Sequence, residues 1–95
     1  MIVFCEYVVP ASNRESFLEW ARAEPRLRSE AEFAENTAQP GVFVEIRRAK
    51  DEDEAAAIEK ERREGRSWEK MEKWVKGGKD GLRIWTFRPL FDQRD

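Results

Sequence analysis

The sequence predicts an α+β fold, a four-stranded antiparallel sheet with both crossover helices on one face. Three observations lead there. Two β-branched and aromatic runs stand near the ends of the chain, "MIVFCEYVV" before Pro10 and "LRIWTF" shortly before Pro89, each closed by a residue that cannot donate to a sheet ladder. Between them lie two stretches with helical spacing, residues 12–24 and 51–64. Separating those helices, "NTAQPGVFVEIRRA" joins turn chemistry to an extended apolar run and so supplies a hairpin.

The first run reads as a buried strand. Ser12 and Glu15 have capping-box spacing, so a helix is expected to start there, with Phe17, Leu18 and Ala21 on one face and Pro25 at its end. Residues 26–35 read either as helix, from their composition, or as a half-buried strand, from the alternation of Leu27, Ser29, Ala31 and Phe33 with charged residues. Because Pro25 interrupts a continuing helix, the strand is taken: residues 27–35, a turn, then residues 41–48. The run "DEDEAAAIEKERREG" opens with acids that suit a helix N-terminus, repeats the capping spacing at Asp51 and Glu54, and closes on Gly65 as a C′ residue. Its charged end, residues 59–64, reads as a solvated face. Ser67 is expected to cap a short helix carrying Trp68, Met71 and Val75 on one side, with Trp74 beside them. "KGGKDG" reads as a turn, since it lacks P-loop spacing and leads into a strand, not a helix. The last strand alternates Leu82, Ile84 and Thr86 against Arg83, Trp85 and Phe87.

The order β-α-β-β-α-β is ferredoxin-like, and it leaves one sheet face uncovered. With Val42, Val44, Ile46, Leu82 and Ile84 toward the helices, Phe43, Glu45, Arg47, Arg83, Trp85 and Phe87 fall on the open face. On the first strand Val3, Cys5 and Tyr7 are assigned to the helices and Phe4 and Glu6 to the open side, although both sets are apolar enough for the reverse register. Such an aromatic face calls for a cover, and a two-fold homodimer joined sheet to sheet provides it, with Phe4, Glu6, Phe43, Glu45, Arg47, Trp85 and Phe87 at the interface.

Composition narrows the function classes. Ninety-five residues suit one domain, expected over residues 1–90 with a flexible tail at 91–95. Eighteen Lys and Arg against 20 Asp and Glu leave a net charge of −2, which argues against a general nucleic-acid binder. The single cysteine, Cys5, cannot form an intramolecular disulfide, and the first apolar run is too short to span a membrane, so a cytoplasmic protein without a membrane partner is expected. The chain has no histidine, which removes Ser-His and Cys-His nucleophile pairs and His-containing zinc sites. No metal and no cofactor are expected.

Two constellations remain. Glu45 with Arg47 and Arg83 could anchor a ligand, but a carboxylate held by guanidinium groups is a poor proton acceptor and reads better as an interfacial ion-pair set. Tyr7, Trp68, Met71 and Trp74 could line an apolar pocket with phenol and indole handles, or could simply be core.

With "QPGVFVEI" leading into an acid-started helix, a Trp-bearing segment and a final "IWTF" strand, the chain resembles the dimeric α/β-barrel superfamily, and within it small proteins of the antibiotic-biosynthesis-monooxygenase-like group. The resemblance covers roughly residues 2–89. It implies a homodimer with a pocket between sheet and helices in each subunit, and cofactor-independent monooxygenase-like chemistry on a small aromatic organic molecule. Haem-degrading members use an Asn on the first strand with a Trp and a His later; here that Asn and every His are missing. The resemblance makes Trp68 and Trp74 pocket walls, Tyr7 a hydrogen-bonding group and Arg83 an anion stabiliser. A non-catalytic small-ligand-binding or structural module is the alternative, and the lack of an acid-base pair supports it.

Overall fold

In the computed structural model, which describes residues 1–91, the strands β1 (Ile2–Val8), β2 (Glu32–Glu35), β3 (Val42–Arg48) and β4 (Arg83–Phe87) form one antiparallel sheet ordered β2-β3-β1-β4. The tail expected over residues 91–95 lies, past Phe91, outside the described residues. Helix α1 (Ala11–Arg22) connects β1 to β2, and α2 (Glu52–Glu64) with the short α3 (Arg66–Met71) connects β3 to β4. This is the ferredoxin-like α+β arrangement that the sequence predicts. Among the described residues, no helix is long and apolar enough to cross a membrane.

Local chemistry sets the boundaries. Asp51 caps α2 by accepting from the Glu54 backbone N–H at 2.8 Å, while the Glu54 side chain accepts from the Lys50 N–H at 3.2 Å. Helix α1 departs from expectation: it begins at Ala11, directly after Pro10, and Ser12 makes no side-chain cap. The hairpin turn is built as read, with the Asn36 carboxamide oxygen accepting from the N–H groups of Ala38 and Gln39 at 2.8 and 3.0 Å. Gly41 ends it at φ +97°, where a Cβ would stand 2.6 Å from the Val9 carbonyl oxygen. The turn "KGGKDG" is two-stage, its second half a 3₁₀ turn, Gly78–Gly81, that delivers the chain into β4.

Residues 26–30 correct the sequence reading. They form a π-helical turn, Arg26–Glu30, and β2 keeps only four residues. Pro25 stands at φ −57°, ψ −35°, so the ring that was expected to stop helical structure instead starts a helical turn, where its missing N–H costs nothing. Ser67 is corrected too: it lies inside α3, buried, and Gly65 precedes that helix.

The largest correction is the register of β3. Its burial alternates so that Phe43 and Glu45, each 2 % exposed, face the helices, and Val42, Val44 and Ile46 take the open face. Pairing across the sheet fixes this, because Phe43 lies opposite Tyr7, and Glu45 opposite Cys5. The assignments of β1 and β4 hold: Val3, Cys5, Tyr7, Leu82 and Ile84 are buried against the helices. The core is aromatic around Phe17, whose ring meets Tyr7, Trp20, Phe33, Phe43 and Trp74. Phe33 and Phe43 stack with centroids 5.5 Å apart, which is why the aromatic residue of β3 points inward in preference to its aliphatic neighbours.

The open face is correspondingly more apolar than expected. Phe4 stacks on Trp85 at 5.8 Å and meets Phe87 edge-on at 6.3 Å, with Val42, Val44 and Ile46 continuing the patch. Glu6 and Arg83 stand opposite each other in register on the same side.

Candidate functional site

Glu45 is the centre of a buried charged cluster between sheet and helices. Strand β3 places it at mid-sheet, and three side chains from separate elements converge on its carboxylate. The Tyr7 phenol of β1 donates to Oε2 at 2.5 Å. Arg62 of α2 makes a bidentate pair, Nε to Oε1 at 2.8 Å and Nη2 to Oε2 at 2.9 Å. Arg26, from the π-helical turn, donates through both terminal nitrogens to Oε1 at 3.3 and 3.4 Å. Arg26 also donates Nε to the Ser67 hydroxyl at 3.2 Å, and Arg62 Nη2 lies 3.3 Å from the Met71 sulfur, so α3 closes the cluster from above. All of these groups are buried.

Burial and charge act together on the neighbouring acids. Desolvation, then the Glu45 charge and the hydrogen bond to it, holds the Tyr7 phenol well above its ordinary value. Desolvation and the same carboxylate push the Cys5 thiol up to about 12, against the opposing pull of Arg62 and Arg26. Cys5 is therefore a neutral, unreactive thiol at physiological pH. For Arg62, burial works against the charge, but Glu45 outweighs it and keeps the guanidinium above its ordinary value. A cationic Arg62 at the centre of the fold is the consequence.

Two buried donors, Arg62 Nη1 and Trp68 Nε1, make no hydrogen bond among the described residues. Buried unpaired donors are uncommon because each forfeits its hydration without return. Trp68 sits between Ser67 and Met71 in α3, both of which touch the arginines of the cluster. Arg62 and Trp68 each keep an unused donor in the interior.

The residues singled out from sequence divide. Tyr7, Trp68 and Met71 lie on the helix side, at 1 %, 1 % and 0 % exposure, around the Glu45 cluster. Trp74 is on the same side but packs in the neighbouring aromatic group, 5.9 Å from Trp20 and 6.3 Å from Phe17. Arg83 is corrected: it is exposed on the opposite sheet face, so it cannot stabilise an anion among these residues. Phe43, Glu45 and Arg47, expected at the open face, are corrected as well. Arg47 points to the helix side, 3.6 Å from Glu30 and 3.7 Å from Glu61. The Glu45–Arg47–Arg83 constellation therefore does not exist. Phe4, Glu6, Trp85 and Phe87 do share the open face.

Sequence reasoning missed Arg62, Arg26 and Ser67. A signal for Arg62 was present: Ala55, Ile58 and Arg62 recur at the spacing of one helix face, and all three are buried. Arg26 carried no such signal, since its position depends on the turn that Pro25 begins.

The fold is similar to that of solved structures described as putative antibiotic biosynthesis monooxygenases. Solved structures of that group superpose over nearly the whole chain. One from Nitrosomonas europaea matches with a TM-score of 0.67 and 18 % identity, covering 95 % of this chain and 89 % of that one. Another, from Deinococcus radiodurans, matches with a TM-score of 0.55 and 13 % identity, covering 99 % and 98 %. No family model matches the chain, and no curated protein matches it. At such identities the likeness shows the fold alone.

Proposed function

We propose that the protein is a homodimeric, monooxygenase-like α/β-barrel enzyme that takes a small aromatic molecule bearing an oxygen acceptor into the interior cluster. The observation that carries this reading is two buried donors without acceptors among the described residues, Trp68 Nε1 and the Nη1 of the cationic Arg62 guanidinium. A phenolate or enolate oxygen would give such a donor its acceptor and be favoured in its anionic form by Arg62. Electron-rich anions of that kind react with dioxygen themselves. One oxygen atom replaces two hydrogens on the activated carbon as a carbonyl, and the other leaves with those hydrogens as water, so the substrate supplies the electrons. The chain's task is positioning: Trp68 and Met71 as walls, Arg62 as anion partner, and Tyr7 and Arg26 holding Glu45 so that Arg62 stays fixed. Trp74 belongs to the adjoining aromatic wall. The open face, with Phe4, Glu6, Trp85 and Phe87, is assigned to the two-fold contact, with Glu6 and Arg83 opposite each other in register on it.

Oxygen uptake with a panel of reduced polyphenols tests the proposal. Uptake with at least one substrate, lost in Trp68→Phe, is the expected result; uptake no higher than the protein-free rate across the panel overturns it. A second reading, a binding module without turnover, is favoured by one feature: Glu45 already accepts from Tyr7, Arg62 and Arg26, which leaves it no free position as a base. Ligand-induced stabilisation without product would select it.

A further inference from the structure

A second site lies outside the interior cluster, where α1 meets the Arg26–Glu30 turn. Leu18, Ala21 and Arg22 come from one face of α1, Leu27 and Arg28 from the turn, and Phe33 from β2; together they line a cleft of about 480 Å³. That volume lies within the range of small-molecule pockets, roughly 300–1,000 Å³. Ala21 and Leu27 form a buried floor, 4 % exposed each, and Leu18 and Phe33 are half-buried, leaving apolar surface toward the cleft. At its rim stand two exposed guanidinium groups, Arg22 and Arg28, and neither makes an ion pair or side-chain hydrogen bond among the described residues. Of the acids on these elements, Glu35 pairs with Arg14 and Glu30 with Arg47, while Glu19, Glu24 and Glu32 make no ion pair among the described residues.

We infer that this cleft binds a small organic carboxylate, its apolar body against Leu18, Leu27 and Phe33 and its carboxylate between Arg22 and Arg28. Charge complementarity selects the occupant. Two unpaired guanidinium forks over an apolar floor suit an anion with a hydrophobic tail and give a neutral hydrocarbon no use for the rim. The site differs from the interior one in its residues and in its access, since its arginines are exposed. It also bears on the interior: Leu27 and Arg28 share a turn with Arg26, whose guanidinium holds Glu45 and Ser67. An occupant would brace the segment that covers the cluster.

The test is a titration of the full chain with 1-naphthoate and with the neutral 1-naphthalenemethanol, followed by the NMR signals of the Leu18 and Leu27 methyl groups. Saturable shifts at these methyls with naphthoate are expected, with binding at least about tenfold tighter than that of the alcohol, and an Arg22→Gln/Arg28→Gln double variant losing about tenfold or more. Both substitutions are at exposed positions, and an unchanged melting temperature verifies that the variant is folded. Equal affinity for acid and alcohol, unchanged naphthoate affinity in the double variant, or shifts confined to Tyr7, Trp68 and Met71 would overturn the inference. The last outcome would leave the proposed oxygenase site standing, and loss of oxygen uptake would leave this one standing.

Discussion

At the scale of single residues, Glu45 and Arg62 carry the account. Removing one partner of a buried ion pair strands the other, so Arg62→Leu should cost about 3–5 kcal/mol of unfolding free energy in urea, whereas Arg63→Leu on the exposed side should stay within about 0.5 kcal/mol. The single tyrosine gives the pH dependence a clean reporter. A phenol whose folded pKa is raised binds its proton longer in the folded state. Its stabilising contribution is therefore intact below its ordinary value of 10 and is lost as pH rises beyond that; Cys5, raised from 9.0 to about 12, acts in the same direction from pH 9 upward. Absorbance at the tyrosinate band should accordingly rise only together with unfolding. A reversible midpoint near 10 in the folded protein would contradict the burial of Tyr7 against Glu45. Glu45 was legible in the sequence as a charged residue among arginines, but not its surroundings. A lone carboxylate is costly to bury, so reading β3 by itself turned Glu45 outward. What pulls it in are two arginines 19 and 17 residues away on other elements, and local alternation carries no trace of them.

Among the elements, legibility followed how local the determining forces are. The cap of α2 was readable because its bonds close within one turn, Asp51 accepting from the Glu54 N–H and the Glu54 side chain from the Lys50 N–H. The Asn36–Gly41 turn was readable for the same reason. The Arg26–Glu30 turn was not, because alternation of Leu27, Ser29 and Ala31 imitates a strand, while the bonds that hold the turn run back to Glu24, whose carbonyl accepts from Leu27 and Arg28 at 3.1 and 3.2 Å. Gly65 illustrates a correct residue with a different reason. It was read as a C′ residue, a position that commonly takes a glycine in the left-handed region, yet its φ is −80°; the requirement is space, since a Cβ there would lie 2.4 Å from the Glu61 carbonyl oxygen. Gly65→Ala should therefore destabilise by about 1–3 kcal/mol through displacement at the α2–α3 junction, measurable as a lowered urea midpoint. An unchanged midpoint would mean that the junction is free to move, and with it the α3 residues above Arg62.

For the whole molecule, the fold was legible from element order alone, and the open face was legible in kind though not in detail. Its aliphatic half, Val42, Val44 and Ile46, had been assigned to the interior, so the exposed apolar surface is larger than the sequence suggested. Covering it with a second copy is the simplest way to remove it from water. Trp85 is 44 % exposed, so Trp85→Glu should leave the subunit folded while shifting sedimentation at micromolar concentration from dimer to monomer mass. A wild-type monomer at that concentration would remove the two-fold contact from the proposal. The central claim is that the interior receives an oxygen-bearing aromatic at Arg62 and Trp68, and the indole N–H signals of the four tryptophans report on it most directly. Titration with a reduced polyphenol should move the Trp68 N–H downfield to saturation while the Trp85 N–H stays in place, and the parent hydrocarbon without oxygen should move neither. A Trp68 N–H that stays fixed across the panel would contradict the claim.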